Sequence, residues 1–316
     1  MIIVTGGAGF IGSNLVRALN NRGETDILVV DNMTDGTKFS NLADCDIADY
    51  EDKDVFRKQI GIKGLPAGTT AVLHQGACSA TTEWDGRLML DQNFCWSRDL
   101  LNLCQASKVP LIYASSASVY GAGPDFSEDV EYEQPLNVYG YSKMLFDRYV
   151  RRVGNPTCQV VGLRYFNVYG PGEDHKQSMA SVIWHFNREL MKDGEIRVFQ
   201  GCDGYGDGEQ LRDFVYVDDA VAVILYFLDH PDTSGIFNTG TGRAQTFNDA
   251  AQAVIDWHGR GEIRYVPMPV HLKGRYQSYT RADATRLIEA GYDGHFRSVE
   301  EGVRSYLDTI NVASGD

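Results

Sequence analysis

The chain has 316 residues, and 29 basic against 43 acidic side chains give a formal net charge of −14. That balance excludes an extended nucleic-acid or anionic-membrane footprint, which needs clustered Lys and Arg, although a few local donors suffice for a small anion. At 43% hydrophobic and 23% charged residues the composition is that of a soluble globular protein, long enough for one large domain or a major and a minor lobe.

In chain order, residues 2–5, 27–30, 70–74, 111–115 and 160–163 are short apolar runs that predict strands. Residues 11–21, 52–60, 88–107 and 139–152 carry helical periodicity between or beside them. The alternation predicts an α/β fold, a doubly wound parallel sheet with helices on both faces. Beyond about residue 170 the rhythm changes: 178–193, 218–229 and 246–258 predict helices, and 201–209 is a Gly/Asp-rich loop. The division expected is a nucleotide-binding domain over 1–166 and a smaller substrate-binding lobe, mainly 167–316, with some segments returning to the first domain. The apolar stretch 220–228 is far shorter than the roughly 18 residues of a membrane span, and Met1 leads into Ile2-Ile3-Val4 with no basic signal-peptide start. Cys45, Cys78, Cys95, Cys104, Cys158 and Cys202 form no C-x-x-C pair, so reduced thiols in a cytoplasmic protein are expected, without a metal site.

Residues 5–12 read Thr-Gly-Gly-Ala-Gly-Phe-Ile-Gly, directly after the first strand and opening the first helix. Gly6 permits the tight turn, Gly9 lets the backbone approach a pyrophosphate, and Gly12 permits close helix packing. The helix N-terminus supplies amide donors to the phosphates, the arrangement of a Rossmann-like dinucleotide site. Asp31 stands near the ~20-residue offset expected of a ribose-binding carboxylate. Asp31 alone favours NAD, whereas Lys38 can pair with the 2′-phosphate of NADP. The residues by themselves leave both open.

Among 17 tyrosines only Tyr139 has a lysine four residues on, Lys143. On a helix that spacing puts both on one face. A neighbouring ammonium is expected to lower the phenol pKa toward working pH, as a general acid/base at a carbinol requires. The plain alternative is a half-buried aromatic beside a solvated lysine. Ser115-Ser116-Ala117-Ser118-Val119-Tyr120-Gly121 follows the strand at 111–115, and Ser116 at the carboxyl edge of the sheet could hydrogen-bond a substrate oxygen.

With Thr-Gly-Gly-Ala-Gly-Phe-Ile-Gly, Ser-Ser-Ala-Ser-Val-Tyr-Gly and Tyr139-Gly140-Tyr141-Ser142-Lys143 in this order, the chain resembles the extended short-chain dehydrogenase/reductase family of nucleotide-sugar enzymes. Later strings agree: Arg164-Tyr165-Phe166-Asn167-Val168-Tyr169-Gly170-Pro171, Arg212-Asp213-Phe214-Val215-Tyr216-Val217-Asp218-Asp219 and Asn238-Thr239-Gly240. The resemblance covers nearly the whole chain. It implies Ser116, Tyr139 and Lys143 as the catalytic group, with Asn93 bracing the site near the cofactor. Further strings, His74 to Ser79, Thr81 to Gly86, His175-Lys176-Gln177-Ser178 and Leu272-Lys273-Gly274-Arg275-Tyr276, resemble the branch that epimerises C6″ of an ADP-bound heptose, a lipopolysaccharide-core precursor.

That branch implies tightly held NADP, bound by Phe10, Ile11, Asp31, Asn32, Lys38, Lys53, Gln75, Gly76, Ala77, Cys78, Ser79, Asn93, Val168 and Lys176 besides the glycines and the Tyr139/Lys143 pair. It implies a substrate pocket including Ser116, Asn167, Ser178, His185, Phe199, Gln200, Gly201, Cys202, Arg212 and Tyr276, and a homopentamer. Gln75 stands where that branch has a glutamate, and 201–210 is several residues longer than usual. His185 reads equally as a structural histidine, and Trp84 and Trp96 read most simply as core. Arg212 suits a diphosphate as a fork-shaped cation. Inverting C6″ requires a second acid/base on the opposite side of the sugar, for which Lys176 is the candidate. A UDP-hexose 4-epimerase would share Ser116, Tyr139 and Lys143 without needing Lys176. A sugar 4,6-dehydratase is disfavoured because Ala117-Ser118, not an acid pair, follows Ser116. A non-enzymatic dinucleotide sensor is disfavoured by the Tyr139/Lys143 pair.

Overall fold

Strands β1 (Ile2–Thr5) and β2 (Ile27–Asp31) are buried at every residue, as strands covered on both faces must be. The computed structural model describes residues 1–269 and 277–314. β3 (Asp49–Asp52), β4 (Ala71–His74), β5 (Leu111–Ser116), β6 (Val160–Tyr165) and β11 (Gly235–Thr239) complete a sheet that has seven strands among the described residues, in the order β11-β6-β5-β4-β1-β2-β3. The pairs β2·β3, β1·β2, β1·β4 and β4·β5 are parallel. The order reverses between β1 and β4, the switch point at which such sheets bind ligands beyond their carboxyl ends. α1 (Phe10–Asn21), α2 (Lys53–Lys63), α3 (Gly86–Met89), α4 (Trp96–Ser107) and α5 (Val138–Val153) alternate with these strands. Ile3, Val30, Phe56, Val72, Trp96, Leu100, Leu111, Tyr113 and Phe146 form one continuous apolar core.

The chain divides into two compact units, each built from separate stretches. Unit 1 comprises Met1–Val119, Pro135–Arg164 and Val221–Phe237, and unit 2 comprises Tyr120–Gln134, Tyr165–Ala220 and Asn238–Asp316. The remaining elements are β7 (Asn167–Tyr169), α6 (Val182–Asp193), β8 (Glu195–Phe199), β9 (Leu211–Arg212), β10 (Phe214–Tyr216), α7 (Val217–Asp229), β12 (Gln245–Thr246), α8 (Phe247–His258), β13 (Glu262–Val266), α9 (Thr285–Glu289) and α10 (Val299–Ser314). β7 pairs with β10 and β8 with β13 in parallel, and β9 with β12 antiparallel.

Three sequence expectations are corrected, and one strand is added. β3 reads Asp-Tyr-Glu-Asp and has no apolar alternation to reveal it, because it lies at the sheet edge, half-exposed. The helix expected over 88–107 contains a π-helical stretch at Leu90–Cys95. The helix expected over 178–193 begins only at Val182, where Ser181 caps it by accepting from Trp184 N (3.2 Å). Residues 174–179 form a separate tight turn in which Gln177 takes φ 49°. Trp96 is core at 7% exposure, but Trp84 is 56% exposed. Among the described residues no helix is long and apolar enough to cross a membrane and no cluster of side chains is built to hold a metal. All six cysteines are free thiols.

Candidate active site

The turn from β1 into α1 is built by close backbone approach. Gly6 takes φ +68°, and a Cβ there would lie 2.6 Å from Gly76 N. A Cβ on Gly12 would lie 2.0 Å from Gly6 O, so only glycine lets the helix pack down on the turn. Gly9 caps α1 with no side chain to accept from the amides of Ile11 and Gly12. An anion seated over the turn meets those donors and the positive end of the helix. The residues therefore fit a dinucleotide pyrophosphate.

At the end of β2, Asp31 Oδ2 accepts from Ala8 N (2.9 Å) and Oδ1 from Asn32 N (2.7 Å). Lys38 Nζ pairs with Asp31 Oδ1 at 2.9 Å and donates to Asn32 O (2.7 Å) and Oδ1 (3.0 Å). The structure thus joins Asp31, Asn32 and Lys38 in one polar cluster. Lys53 Nζ donates to Gln92 Oε1 at 2.6 Å. Beyond β4, residues 75–79 run without regular structure. Gln75 N donates to Thr5 O (2.9 Å) and Gly76 N to Thr5 Oγ1 (3.3 Å), while Ala77 and Ser79 are exposed. Asn93, inside the π-helical stretch, clamps this segment: its Oδ1 accepts from Cys78 N (2.8 Å), and its Nδ2 faces Cys78 O and Ser142 Oγ, both at 3.0 Å. His74 is buried between Thr5 Oγ1 (2.6 Å from Nδ1) and Ser97 Oγ (2.9 Å from Nε2). Burial, reinforced by the Lys143 charge, pushes its imidazole down to about 3.

Asn137 caps α5 by accepting from Gly140 N at 2.8 Å, which fixes the turn carrying Tyr139. The Tyr139 phenol lies by the side chain of Ser116 at the end of β5, and the Ser116 hydroxyl donates to Ser118 Oγ (3.1 Å). A Cβ on Gly140 would lie 2.5 Å from Ser118 O, so the backbones of these two segments are nearly in contact. Lys143, one turn on, is buried, and its Nζ donates to Ala114 O at 2.8 Å. The structure therefore brings Ser116, Tyr139, Lys143 and Asn93 into one connected group. The electrostatic expectation is corrected. Burial holds the Tyr139 phenol above its ordinary value, with only the neighbouring Ser116 hydroxyl opposing it. Burial also lowers Lys143 to about 8, against the pull of Asp147 and Cys78. Enclosure sets both directions.

In unit 2, Asn167 opens β7 and its Oδ1 accepts from Thr280 Oγ1 (3.3 Å), with Val168 next along the strand. Lys176 lies in the turn at 174–179, and its backbone N donates to Glu173 O (2.9 Å). Glu173 is fully buried. Its carboxylate accepts from Ser181 N (2.6 Å), Ser181 Oγ (2.7 Å) and Gly170 N (3.3 Å). Burial lowers Lys176 while Glu173 raises it. Ser178 is exposed on this turn and does not share a helix with His185, whose ring packs edge-on against Trp184. Phe199, Gln200, Gly201 and Cys202 lead from β8 into the long loop, where Gly201 N donates to Asp207 Oδ1 (2.8 Å) and Gln210 Nε2 to Gln200 O (3.0 Å). Arg212 is buried, donates to Leu211 O (3.0 Å) and lies 5.5 Å from the Phe247 ring centre. Tyr276, with Arg275, falls outside the described residues.

The family model described as NAD dependent epimerase/dehydratase matches residues 2–240. The ADP-L-glycero-D-manno-heptose-6-epimerase of Alkalilimnicola ehrlichii is 61% identical over 311 residues, 98% of this chain and 97% of that protein. The crystal structure of the Helicobacter pylori ADP-L-glycero-D-manno-heptose-6-epimerase superposes with a TM-score of 0.84 at 29% identity, covering 98% of this chain and 96% of that one. The Thermus thermophilus UDP-glucose 4-epimerase, solved in complex with NAD, superposes with a TM-score of 0.80 at 28% identity, covering 99% of each.

Proposed function

From the premise that the chain belongs to the NAD dependent epimerase/dehydratase family, we propose that it interconverts ADP-D-glycero-β-D-manno-heptose and ADP-L-glycero-β-D-manno-heptose, epimers at C6″, with NADP as resident cofactor. The observation that carries this reading is the placing of the Tyr139 phenol by the Ser116 side chain, with the buried Lys143 one turn along the same helix and bonded to Ala114 O of the same strand.

The bound nicotinamide supplies reversible hydride acceptance, so the cofactor ends unchanged. Tyr139, whose phenol burial holds above its ordinary value, is set to donate a proton to a carbonyl oxygen and to recover it from the carbinol. Ser116 stabilises the phenolate that this exchange creates, and the Lys143 charge adds to that stabilisation. Inversion needs a second proton carrier once the aldehyde has turned, and Lys176 serves in that role. Its enclosed ammonium, eased toward neutrality by burial and held near the buried Glu173, supports the assignment. Unit 2 is then the substrate-binding part, with Asn167, Ser178, His185, residues 199–202 and Arg212 as the candidates to hold the ADP-sugar.

The Asp31–Lys38 pair supports NADP: Lys38 offsets the carboxylate that would otherwise repel a 2′-phosphate. The reading extends to a cytoplasmic homopentamer. Six free thiols accord with a reducing compartment, and analytical ultracentrifugation tests the assembly. Incubation with either C6″ epimer of ADP-heptose, followed by proton NMR, should show both epimers at equilibrium. Turnover of UDP-hexoses alone would replace this reading with a 4-epimerase.

A further inference from the structure

The geometry points to Asp147 as a positioning residue that locks α5 in register against β5 and holds a carboxylate one turn from the Lys143 ammonium, a role that rests on the reading of Tyr139 and Lys143 given above. Tyr139, Lys143 and Asp147 recur every four residues and so line one face of α5. Each reaches β5. Tyr139 meets Ser116, Lys143 Nζ donates to Ala114 O, and Asp147 accepts from Tyr113 OH at Oδ1 (3.0 Å) and Ser115 Oγ at Oδ2 (2.9 Å). Helix and strand are thus joined by a ladder of polar rungs. Its far end is anchored by Arg164 of β6, whose Nε donates to Asp147 Oδ2 at 2.9 Å, with both side chains wholly buried.

A buried ion pair is poor value for stability alone, since apolar residues of similar volume often serve as well. What this one supplies is a fixed negative charge one turn from the lysine. The titratable groups that interact with Lys143 are Asp147 on its own helix, His74 on β4 and Cys78 in the following segment, and Arg164 on β6 reaches it only through Asp147. His74 is neutral and Arg164 is paired with Asp147. Among the described residues Asp147 is the carboxylate that opposes the desolvation of the ammonium. No sequence signal marks it, because an acid on a Lys/Arg-rich helix reads as a surface charge.

The test is a titration of Lys143 in cofactor-free protein labelled with [ε-13C]lysine, its resonance assigned by its loss in Lys143→Met. In Asp147→Asn the midpoint should fall by about one pH unit relative to the wild type. Turnover of ADP-heptose should then drop about fivefold at pH 8 but less than about twofold at pH 6.5, with KM unchanged, a pH dependence that loss of structure alone would not produce. A folded Asp147→Asn protein with an unmoved Lys143 midpoint overturns the proposal. Should the lone Arg164 charge prevent folding, Asp147→Asn/Arg164→Gln removes both charges. A lowered midpoint in that variant supports the proposal. A wild-type midpoint, or a paired variant that cannot fold, reduces the pair to scaffold and overturns it. Tyr139→Phe, run in parallel, separates the premises: wild-type turnover there ends the catalytic reading, while the lysine titration still reports on Asp147.

Discussion

Tyr139→Phe keeps the ring and its packing and removes only the hydroxyl that meets Ser116. Turnover should fall by a factor of about 10²–10⁴ with melting temperature and cofactor content unchanged, and activity within about threefold of wild type would remove Tyr139 from the chemistry. Lys38→Ala leaves Asp31 without its ion-pair partner, so titration of stripped protein should show NADP weakened more than NAD; equal losses would mean that Lys38 does not read the 2′-phosphate. Lys176→Met keeps length and loses the amine. The variant should bind ADP-heptose and NADP yet fail to interconvert the C6″ epimers, and wild-type epimerisation would leave Tyr139 as sole proton carrier. The Tyr139/Lys143 spacing was legible in the sequence because helical periodicity and one lysine suffice to suggest it. The direction of the Tyr139 pKa was not, because it depends on enclosure by protein that no spacing reveals. Glu173 was passed over for the same reason: a buried carboxylate and a solvated one look alike in a sequence.

At the scale of elements, α5 owes its start to Asn137, whose side chain satisfies the Gly140 amide. Asn137→Ala should lower stability by about 1 kcal/mol, seen as a lower urea midpoint with an unchanged slope. An unaltered midpoint would show that tertiary contacts alone fix the helix start. The central strands could be read as apolar runs because both their faces are covered. β3 could not, since a half-exposed edge strand has no such run. The π-helical stretch at Leu90–Cys95 was likewise invisible, because it leaves the apolar spacing nearly intact while turning Asn93 toward Cys78 and Ser142. The late start of α6 follows from Ser181, whose capping role competes with helical continuation and decides the boundary.

Over the whole molecule, sequence order and compact units diverge: unit 1 draws on Val221–Phe237, well after Tyr165–Ala220 has contributed to unit 2. A reading along the chain sees the alternation that builds the sheet and expects some later segments to return to the first domain, but which ones return is a tertiary matter with no local signal. One side chain inside unit 1 also sets a limit for the protein in acid. His74 refuses the proton that an unfolded chain would accept below its ordinary pKa of 6.5, down to about 3. Its contribution is therefore complete above pH 6.5 and drains away as pH falls toward 3, by up to about 1.4 kcal/mol per pH unit. Glu173 and Asp213, raised by burial, act in the opposite sense, so the imidazole is isolated by comparing wild type with His74→Gln. Between pH 7 and pH 5 the wild type should lose about 2 kcal/mol more than the variant in urea unfolding, and parallel losses would place the acid sensitivity elsewhere. β4 carries His74 at its end, and residues 75–79 emerge directly from it. Acidification accordingly strikes the strand beside the dinucleotide turn, and release of the nucleotide should set in together with the loss of stability.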